Sequence, residues 1–471
     1  MKDLHYFLSQ YEETCPDEVV HIEKEISGRH QVTALATQLE KEKRFPIIVC
    51  HNVVNDWGKC SYPLVTFMMS SRKRMATIMD TTIDMVGPEF CRRIQNGLKP
   101  VVVPRSKAPV KEVVETGDAI DLTAFPALVH HEMDPGAYIT AGFLTCYDPE
   151  TGILNSAIHR GWIKGKDEVR VYISPPTHNF HIFKKYETRG EDMKVAYWIG
   201  HHPLAVLGCE AHVSSSASHY EAAGGAMGEP MRLVASETLG DDFLVPADAE
   251  VIIEGIIPHG ERRPEGPFGE YTRYSGPQRW HPYIRVTAVT HRAEPYWQDI
   301  MVGHTHWVGA LQMEGGAFDG IRKSVPGVMA VYAPMSGAGQ FHLYLKIKKT
   351  VEGQSRTALL AALNTHLLIK HAFVFDDDVD IFDEKEVLLA LATRFQGDKD
   401  LMVIKDCLGP SLDPSAEEAV GTKVGFDCTK PAPPARFPSR LRVPTEVMDK
   451  TRLEDFIPRE QLLKVPYEPY G

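Results

Sequence analysis

The chain has 471 residues, 43% of them hydrophobic and 24% charged, with a formal net charge of -12. This is the composition of an ordinary globular protein, long enough for about two or three domains. The acidic balance excludes non-specific nucleic-acid binding and attraction to an anionic membrane surface, because both need an excess of Lys and Arg. The opening MKDLHYFLSQYEETCPDE lacks the basic and apolar regions of a signal peptide, and no long uncharged apolar run is present, so a cytoplasmic location is expected. Eight cysteines are scattered without a C-x-x-C pair, which points to free thiols and not to a zinc site or a disulfide framework.

In chain order, an amphipathic helix is expected around Val32 to Lys43, an apolar strand at Pro46 to Cys50, and a second helix over Tyr62 to Met79. The basic patch Ser71-Arg-Lys-Arg74 reads as a solvated face of that second helix. From Thr116 to His304 the pattern is short apolar runs broken by Gly and Pro: Ala141 to Cys146, Ile153 to Ile158, Val169 to Ile173, Ala205 to Leu207, Val251 to Ile257 and Tyr283 to Thr290. Strands at that spacing predict a mostly antiparallel sheet or barrel. After Met313, strands at Val328 to Tyr332 and Leu343 to Ile347, a helix at Arg356 to His371, a strand at Ala372 to Phe375 and a helix at Glu384 to Phe395 restore an α/β pattern. A Pro-rich run, Pro431 to Pro438, acts as a stiff linker to a short C-terminal helix. The domains are read as an N-terminal α/β domain (1-115), a central β-barrel domain (116-312), a C-terminal α/β domain (313-440), and a tail (441-471).

Several motifs fail on inspection. His131-Glu132 lacks the second histidine of a zinc-protease helix. The run Asp376 to Asp380 has Ile381 where a calcium loop needs its turn glycine. Gly337-Ala-Gly339 lacks the third glycine of a dinucleotide fingerprint. What remains is Arg262 to Pro277, RRPEGPFGEYTRYSGP, in which Glu265 and Glu270 flank a Gly-Pro-Phe-Gly turn. A second set lies upstream: Asn155, Arg160, His178 after Pro175-Pro176, the serine run Ser214 to Ser218, His219 and Glu221. An amide, an imidazole and a carboxylate suit a borderline-hard divalent ion such as manganese or magnesium. In a regular strand the offset from Asn155 to Arg160 would point the two side chains to opposite faces, so a bulge or two separate tasks is required.

Together, Asn155-Ser-Ala-Ile-His-Arg160, His178, Ala223-Gly-Gly-Ala-Met-Gly-Glu-Pro230, Val245-Pro-Ala247, Glu250-Val-Ile-Ile-Glu-Gly255, Glu265-Gly-Pro-Phe-Gly-Glu270, Asp376 to Asp380, Ala390-Leu-Ala-Thr-Arg394 and Gly425 to Lys430 resemble the UbiD family of prenylated-FMN-dependent decarboxylases. The resemblance runs over nearly the whole chain. It implies a UbiD-like α+β and α/β multidomain fold, whose central split β-barrel binds flavin, and a homodimer or larger symmetric assembly. It also implies reversible non-oxidative decarboxylation of an aromatic, heteroaromatic (pyrrole- or indole-like) or α,β-unsaturated acid, with prenylated FMN supplied by a flavin prenyltransferase. The catalytic Arg and two Glu fall on Arg160, Glu265 and Glu270, with Glu270 the proton donor and Glu265 the brace of Arg160. Arg160, a planar and permanently charged fork, suits a substrate carboxylate held bidentately. Cofactor contacts fall on Asn155, Ile158, His159, Arg160, His178, Met227 and Lys370. The phosphate-bound metal, Mn2+ or Mg2+ with a nearby K+, takes Asn155 and His178. Its third ligand is either His219, at the position usually filled by Glu, or Glu221, which would share a strand face with it and is the more natural manganese ligand. Lys370 also reads as a charge at a helix C-terminus. His304, His306 and Trp307 are expected to border the substrate pocket. Two other readings are a flavin reductase on a similar barrel and a non-catalytic flavin- or metal-binding protein.

Overall fold

The computed structural model describes residues 2–465 apart from 174, 176, 214–217, 411, 417 and 418. Most of the expected serine run and the end of the tail therefore lie outside the described residues. Helix Leu4–Thr14 comes first, without having been expected; the helix expected next forms as Gln31–Lys41 and the apolar run after that as strand Ile47–Cys50. The stretch expected as one helix from Tyr62 to Met79 divides. Leu64–Thr66 is a buried strand antiparallel to Ile47–Cys50, and the helix spans only Arg72–Met79. Ser71 sets the start, its hydroxyl accepting from the Arg74 N–H at 3.2 Å as an N-cap. Strand Trp297–Gln298 adds to Leu64–Thr66 in parallel, so the first sheet is completed by residues from far along the chain.

The basic patch is not a solvated face. Arg74 is fully buried and donates to the backbone carbonyls of Phe67, Met68 and Phe45. Arg72 makes two 2.8 Å hydrogen bonds to Glu314. The rings of Trp307, Tyr332 and Phe382 surround its guanidinium at 5.1 to 5.2 Å. Lys73 between them faces solvent.

The central part is a nine-stranded, curled antiparallel sheet. Its path runs Leu154–Ile158, Phe143–Tyr147, Met193–Ile199, Val251–Ile257, Tyr283–His291, Glu168–Val171, Gly161–Ile163 and Tyr138–Ile139, with Val113–Thr116 also paired to Tyr283–His291. Ala205 to Leu207, expected as a strand, lies instead in helix Pro203–Cys209, all of whose residues are buried. A short, wholly apolar run carries no periodicity to separate helix from strand, and Pro203 at the first helical position decides it.

The C-terminal sheet has five strands in the order Val328–Tyr332, His342–Ile347, His371–Asp376, Val420–Cys428 and Leu401–Leu408. Its helices are Gln354–Thr365 and Glu384–Arg394. The first ends earlier than expected, at an extended His366, so Lys370 is not a helix-terminal charge but precedes a strand. Strand Val113–Thr116 crosses position 115/116 and helix Ala310–Ser324 crosses 312/313. One apolar cluster runs from Phe7 and Val49 through Trp198 and Met227 to Leu311, Leu345 and Val374, so the parts share a core. The tail carries two exposed four-residue helices, Thr445–Met448 and Arg459–Leu462. The cysteines are free, and no helix among the described residues is long and apolar enough to cross a membrane.

The Arg72–Glu314 pair ties the first sheet's helix to the helix leading into the C-terminal sheet. Arg72→Met leaves Glu314 buried without its cation and is expected to cost about 3 to 5 kcal/mol in urea unfolding. Lys73→Met on the same turn is expected to stay within about 0.5 kcal/mol.

Candidate active site

Strand Leu154–Ile158 ends before His159, and the next strand starts at Gly161, so Arg160 sits in the break between two strands. The strand break lets Asn155 and Arg160 serve different neighbours. Arg160 donates from Nε and Nη2 to both oxygens of Glu265, at 3.0 and 2.7 Å, and from Nη1 to Glu270. Its guanidinium also lies over the rings of Tyr172 at 4.2 Å and Phe268 at 5.3 Å. The bidentate grip expected for a substrate carboxylate is thus occupied by Glu265, and two of the five guanidinium N–H donors remain.

Both carboxyl groups ride on a double hairpin. Arg263–Glu265 pairs with Arg279–His281, and Phe268–Gly269 pairs with Ser275–Gly276. Gly266 has φ 84° and passes 3.5 Å, by the position a Cβ would take, from Arg160 Nη2. A side chain there would be strained by the positive φ and would press on the Pro277 carbonyl, 3.2 Å from the Cβ position. Glu265 has no exposed side-chain surface and accepts a third hydrogen bond from the Tyr138 hydroxyl at 3.2 Å. Burial pushes the Glu270 carboxyl up to about 7, opposed by the Arg160 charge and aided by Glu265. Burial works against the Arg160 charge, but hydrogen bonding and attraction from the two Glu outweigh it and its pKa rises.

The Arg160–Glu270 pair lines a cavity of about 400 Å3 between the central sheet and the C-terminal domain. Ile158, His159, Thr177, Glu210, His212 and His366 line it as well, as do Tyr271, His306, Gln312 and Gln340. Of these, Glu210, His212, Tyr271, Gln312, Gln340 and His366 gave no sequence signal. Glu210 follows the helix misread as a strand, accepts from the Ile158 N–H at 3.2 Å, and is raised by burial to about 7. His159 donates from Nδ1 to Tyr172 O at 2.9 Å, burial lowers it to about 4, and its Nε2 has no partner. Burial likewise lowers His306 to about 4, and its Nδ1 is unpartnered.

Other expected site residues stand elsewhere. His304 is bonded to Thr37 at 2.9 Å and lines a separate small void. Trp307 packs on Arg72, away from the cavity. Met227 is buried at the end of helix His219–Met227, where its carbonyl accepts from Lys2, and does not line the cavity. Lys370 is taken by Asp413 at 2.8 Å and Ser415 at 2.6 Å.

The expected metal ligands assemble in part. His219 and Glu221 lie on a helix and not on a strand, so they point about 200° apart and cannot share a face. The Glu221 carbonyl accepts from the Leu98 N–H at 3.0 Å, and its Cβ packs beside Gly97. His219 Nε2 meets Asn155 Oδ1 at 3.0 Å, inside a chain that runs from Leu144 O through Asn179, Asn155 and His219 to Cys209 O. Both ends of that chain are carbonyl acceptors. Two amides and one neutral imidazole bring three in-line donors to four links, so one link lacks a hydrogen however the amides are turned. Protonating His219 would fill it, but burial draws that ring down to about 4. A cation beside Asn155 Oδ1 and His219 Nε2 resolves the conflict, and His178, whose charge bears on His219, stands close by at the start of helix His178–Arg189. The donor set therefore fits a divalent ion.

Models of the 3-octaprenyl-4-hydroxybenzoate carboxy-lyase family match most of the chain: its N-terminal domain at residues 15–94, its Rift-related domain at 101–305 and its C-terminal domain at 306–428. The chain belongs to the UbiD family of carboxy-lyases. It is 30% identical to the anhydromevalonate phosphate decarboxylase of Methanothermobacter thermautotrophicus, over 88% of this chain and 95% of that one. It is similar to the structure of the UbiD-class enzyme HmfF from Pelotomaculum thermopropionicum in complex with FMN, with 33% identity, TM-score 0.89 and coverage of 97% and 100%. An evolved dimeric form of HmfF in complex with prFMN matches at 32% and 0.87, covering 97% and 100%. The vanillic acid decarboxylase of Sedimentibacter hydroxybenzoicus matches at 26% and 0.82, covering 98% and 99%.

The raised Glu270 is open to direct measurement. Its ordinary value of 4.5 applies in the unfolded chain, so folding takes up a proton between about 4.5 and 7 and the stability this gives is lost as pH rises through that window. In infrared difference spectra, a protonated-carboxyl band is expected to fade as pH passes about 7 and to shrink in Glu270→Gln.

Proposed function

We propose that the protein is a prenylated-FMN-dependent decarboxylase, reversible and non-oxidative, of aromatic or heteroaromatic monocarboxylic acids, pyrrole- or indole-like rings included. The observation that carries this reading is the buried Arg160–Glu265–Glu270 cluster on the wall of the cavity, with one of its carboxyl groups half protonated near neutrality. Bound prenylated FMN supplies the electron sink for the pair left when the carboxyl carbon departs. Ile158, His159 and Arg160 form the cavity wall against it, and Asn155, His178 and His219 are the side chains to hold its phosphate-bound Mn2+ or Mg2+, with K+ nearby. Glu270 in its neutral form holds the proton that replaces CO2 on the substrate carbon, and takes one up in the carboxylating direction. Glu265 keeps Arg160 in place. Arg160 retains two N–H donors for the substrate carboxylate.

The relatives pose a choice between a ring acid and a phosphorylated acid. Among the described residues that line the cavity Arg160 is the sole Lys or Arg, and two Glu already engage it. The walls elsewhere include Phe268, Tyr271, Ile300, Val308, Leu368 and the rings of His306 and His366, which burial keeps neutral. A dianionic phosphate on the substrate would be buried there without a counter-charge, whereas a neutral ring would find apolar and hydrogen-bonding partners. Family membership leaves the reductase and storage readings without support. The apolar tail residues Leu441, Phe456 and Leu463 stay exposed on the single chain, which supports assembly as a homodimer.

The test uses protein co-expressed with a flavin prenyltransferase and a panel of acids. CO2 release, or solvent hydrogen exchange, is expected with ring monocarboxylates and not with a phosphorylated enoic acid; the reverse result would sink the substrate assignment. Glu270→Gln should keep its flavin and lose about 10²- to 10⁴-fold in turnover. Because the neutral form is the donor, decarboxylation by the unaltered enzyme should fall as pH rises through about 7, and Glu270→Gln should show no such limb.

A further inference from the structure

A second metal-ligating cluster lies on the N-terminal domain, remote in the chain from every residue of the site above. Strands Val19–Ile22 and Ile47–Cys50 run parallel; His21 lies within the first and Glu23 just beyond it, while His51 follows the second. The His51 N–H donates to Ile22 O at 3.0 Å, Ile26 N–H to Asn52 O at 3.0 Å, and the Asn52 side-chain amide to Glu23 O at 2.7 Å. These three bonds fix the two chain segments against each other. Three ligand atoms, one each from His21, Glu23 and His51, then fall within 4.8 Å of one another.

The distances between them carry the argument. His21 Nδ1 lies 2.9 Å from His51 Nε2, and His51 Nε2 lies 3.5 Å from Glu23 Oε1. With metal–ligand bonds of about 2.0 to 2.1 Å, two ligands of a tetrahedral ion stand about 3.3 to 3.5 Å apart. The observed edges bracket that spacing, so small side-chain rotations seat an ion. The second observation is Glu12, on helix Leu4–Thr14, whose Oε1 is 3.0 Å from His21 Nε2. A carboxylate there takes the Nε2 hydrogen and leaves the lone pair of His21 on Nδ1, the atom that faces His51 and Glu23. Carboxylate–histidine–metal arrangements are built in this way.

We propose that His21, His51 and Glu23 form a surface site for a late first-row divalent cation such as Zn2+, with Glu12 orienting His21. Two imidazoles and one carboxylate leave a fourth position open to water. A depression lined by His5, Glu12, His21 and Tyr296 lies beside His21. In the metal-free chain the His51 Nε2 hydrogen occupies the point between the rings; on binding, His51 gives up that hydrogen and takes one from solvent at Nδ1, staying a neutral imidazole, and the cation takes the vacated place. The ion ties helix Leu4–Thr14, through Glu12, to both strands.

The experiment is a titration of the flavin-loaded enzyme with Zn2+, followed by calorimetry and by metal analysis after dialysis, beside the same titration of His51→Ala. The unaltered enzyme should take up one more zinc per chain than His51→Ala, with a Kd of micromolar order, while flavin content and decarboxylation match. Glu12→Gln should keep the stoichiometry and weaken that step about tenfold. Equal uptake by the unaltered enzyme and His51→Ala, or a difference seen only at millimolar zinc, overturns the site. Should His51→Ala fold poorly, Glu23→Gln, on a side chain 76% exposed, gives the same comparison. Zinc taken up at the cavity histidines is common to all variants and cancels in the difference.

Discussion

The buried Arg160 cation is the constraint on which the active region depends. A guanidinium 9% exposed is tolerable only with its charge matched and its donors used, and Glu265 and Glu270 do both. Their shares are unequal. Glu265 takes the bidentate edge and a Tyr138 hydrogen bond with no exposed surface, and Glu270 receives one N–H. That asymmetry separates two chemically identical side chains. The move of Glu270 from 4.5 to about 7 corresponds to about 3 kcal/mol of preference for its neutral form. One carboxyl is thereby committed to the ion pair and the other is free to carry a proton.

The geometry of the pair is held from outside the central sheet. Arg273, three residues beyond Glu270, adopts φ 66° and reaches 3.6 Å from Glu40 on helix Gln31–Lys41. The same Glu40 accepts from the Thr305 N–H at 3.1 Å, and Thr37 one turn earlier holds His304. The N-terminal helix thus grips both the turn bearing Glu270 and the loop bearing His306, while the Arg72–Glu314 pair fixes the helix behind that loop. The cavity lies where three parts of the chain meet, and each part supplies one wall or its support.

Much of this was legible in the residues. Alternating apolar runs placed most of the central strands, and Glu265-Gly-Pro-Phe-Gly-Glu270 with Arg160 located the cluster before any distance was known. The failures have physical causes. Leu64–Thr66 and Pro203–Cys209 are short, uniformly buried runs, which carry no period. Arg72 and Arg74 look solvated in sequence because their partners, Glu314 and the carbonyls near Phe67, are brought up by tertiary packing. His219 and Glu221 were read on strand spacing, and the 3.6-residue period of a helix separates them. Glu210, Gln312 and Gln340 belong to no motif, and only the closing of the C-terminal domain against the central sheet makes them neighbours.

With His219 and not Glu221 beside Asn155, the charge balance of the second half of the site changes. Of the ligands proposed above, Asn155, His178 and His219, none is a carboxylate, and burial keeps His219 neutral well below pH 7. A divalent ion among them gains no compensating charge from these protein ligands. In the proposed reading the phosphate that arrives with the flavin is the counter-charge, so ion and cofactor stabilise each other more than they would with a carboxylate ligand in place. The same logic governs both clusters. At Arg160 the protein supplies two carboxyl groups for one cation and leaves a proton to spare, and at His219 it supplies none and leaves the cation to be balanced by what it binds.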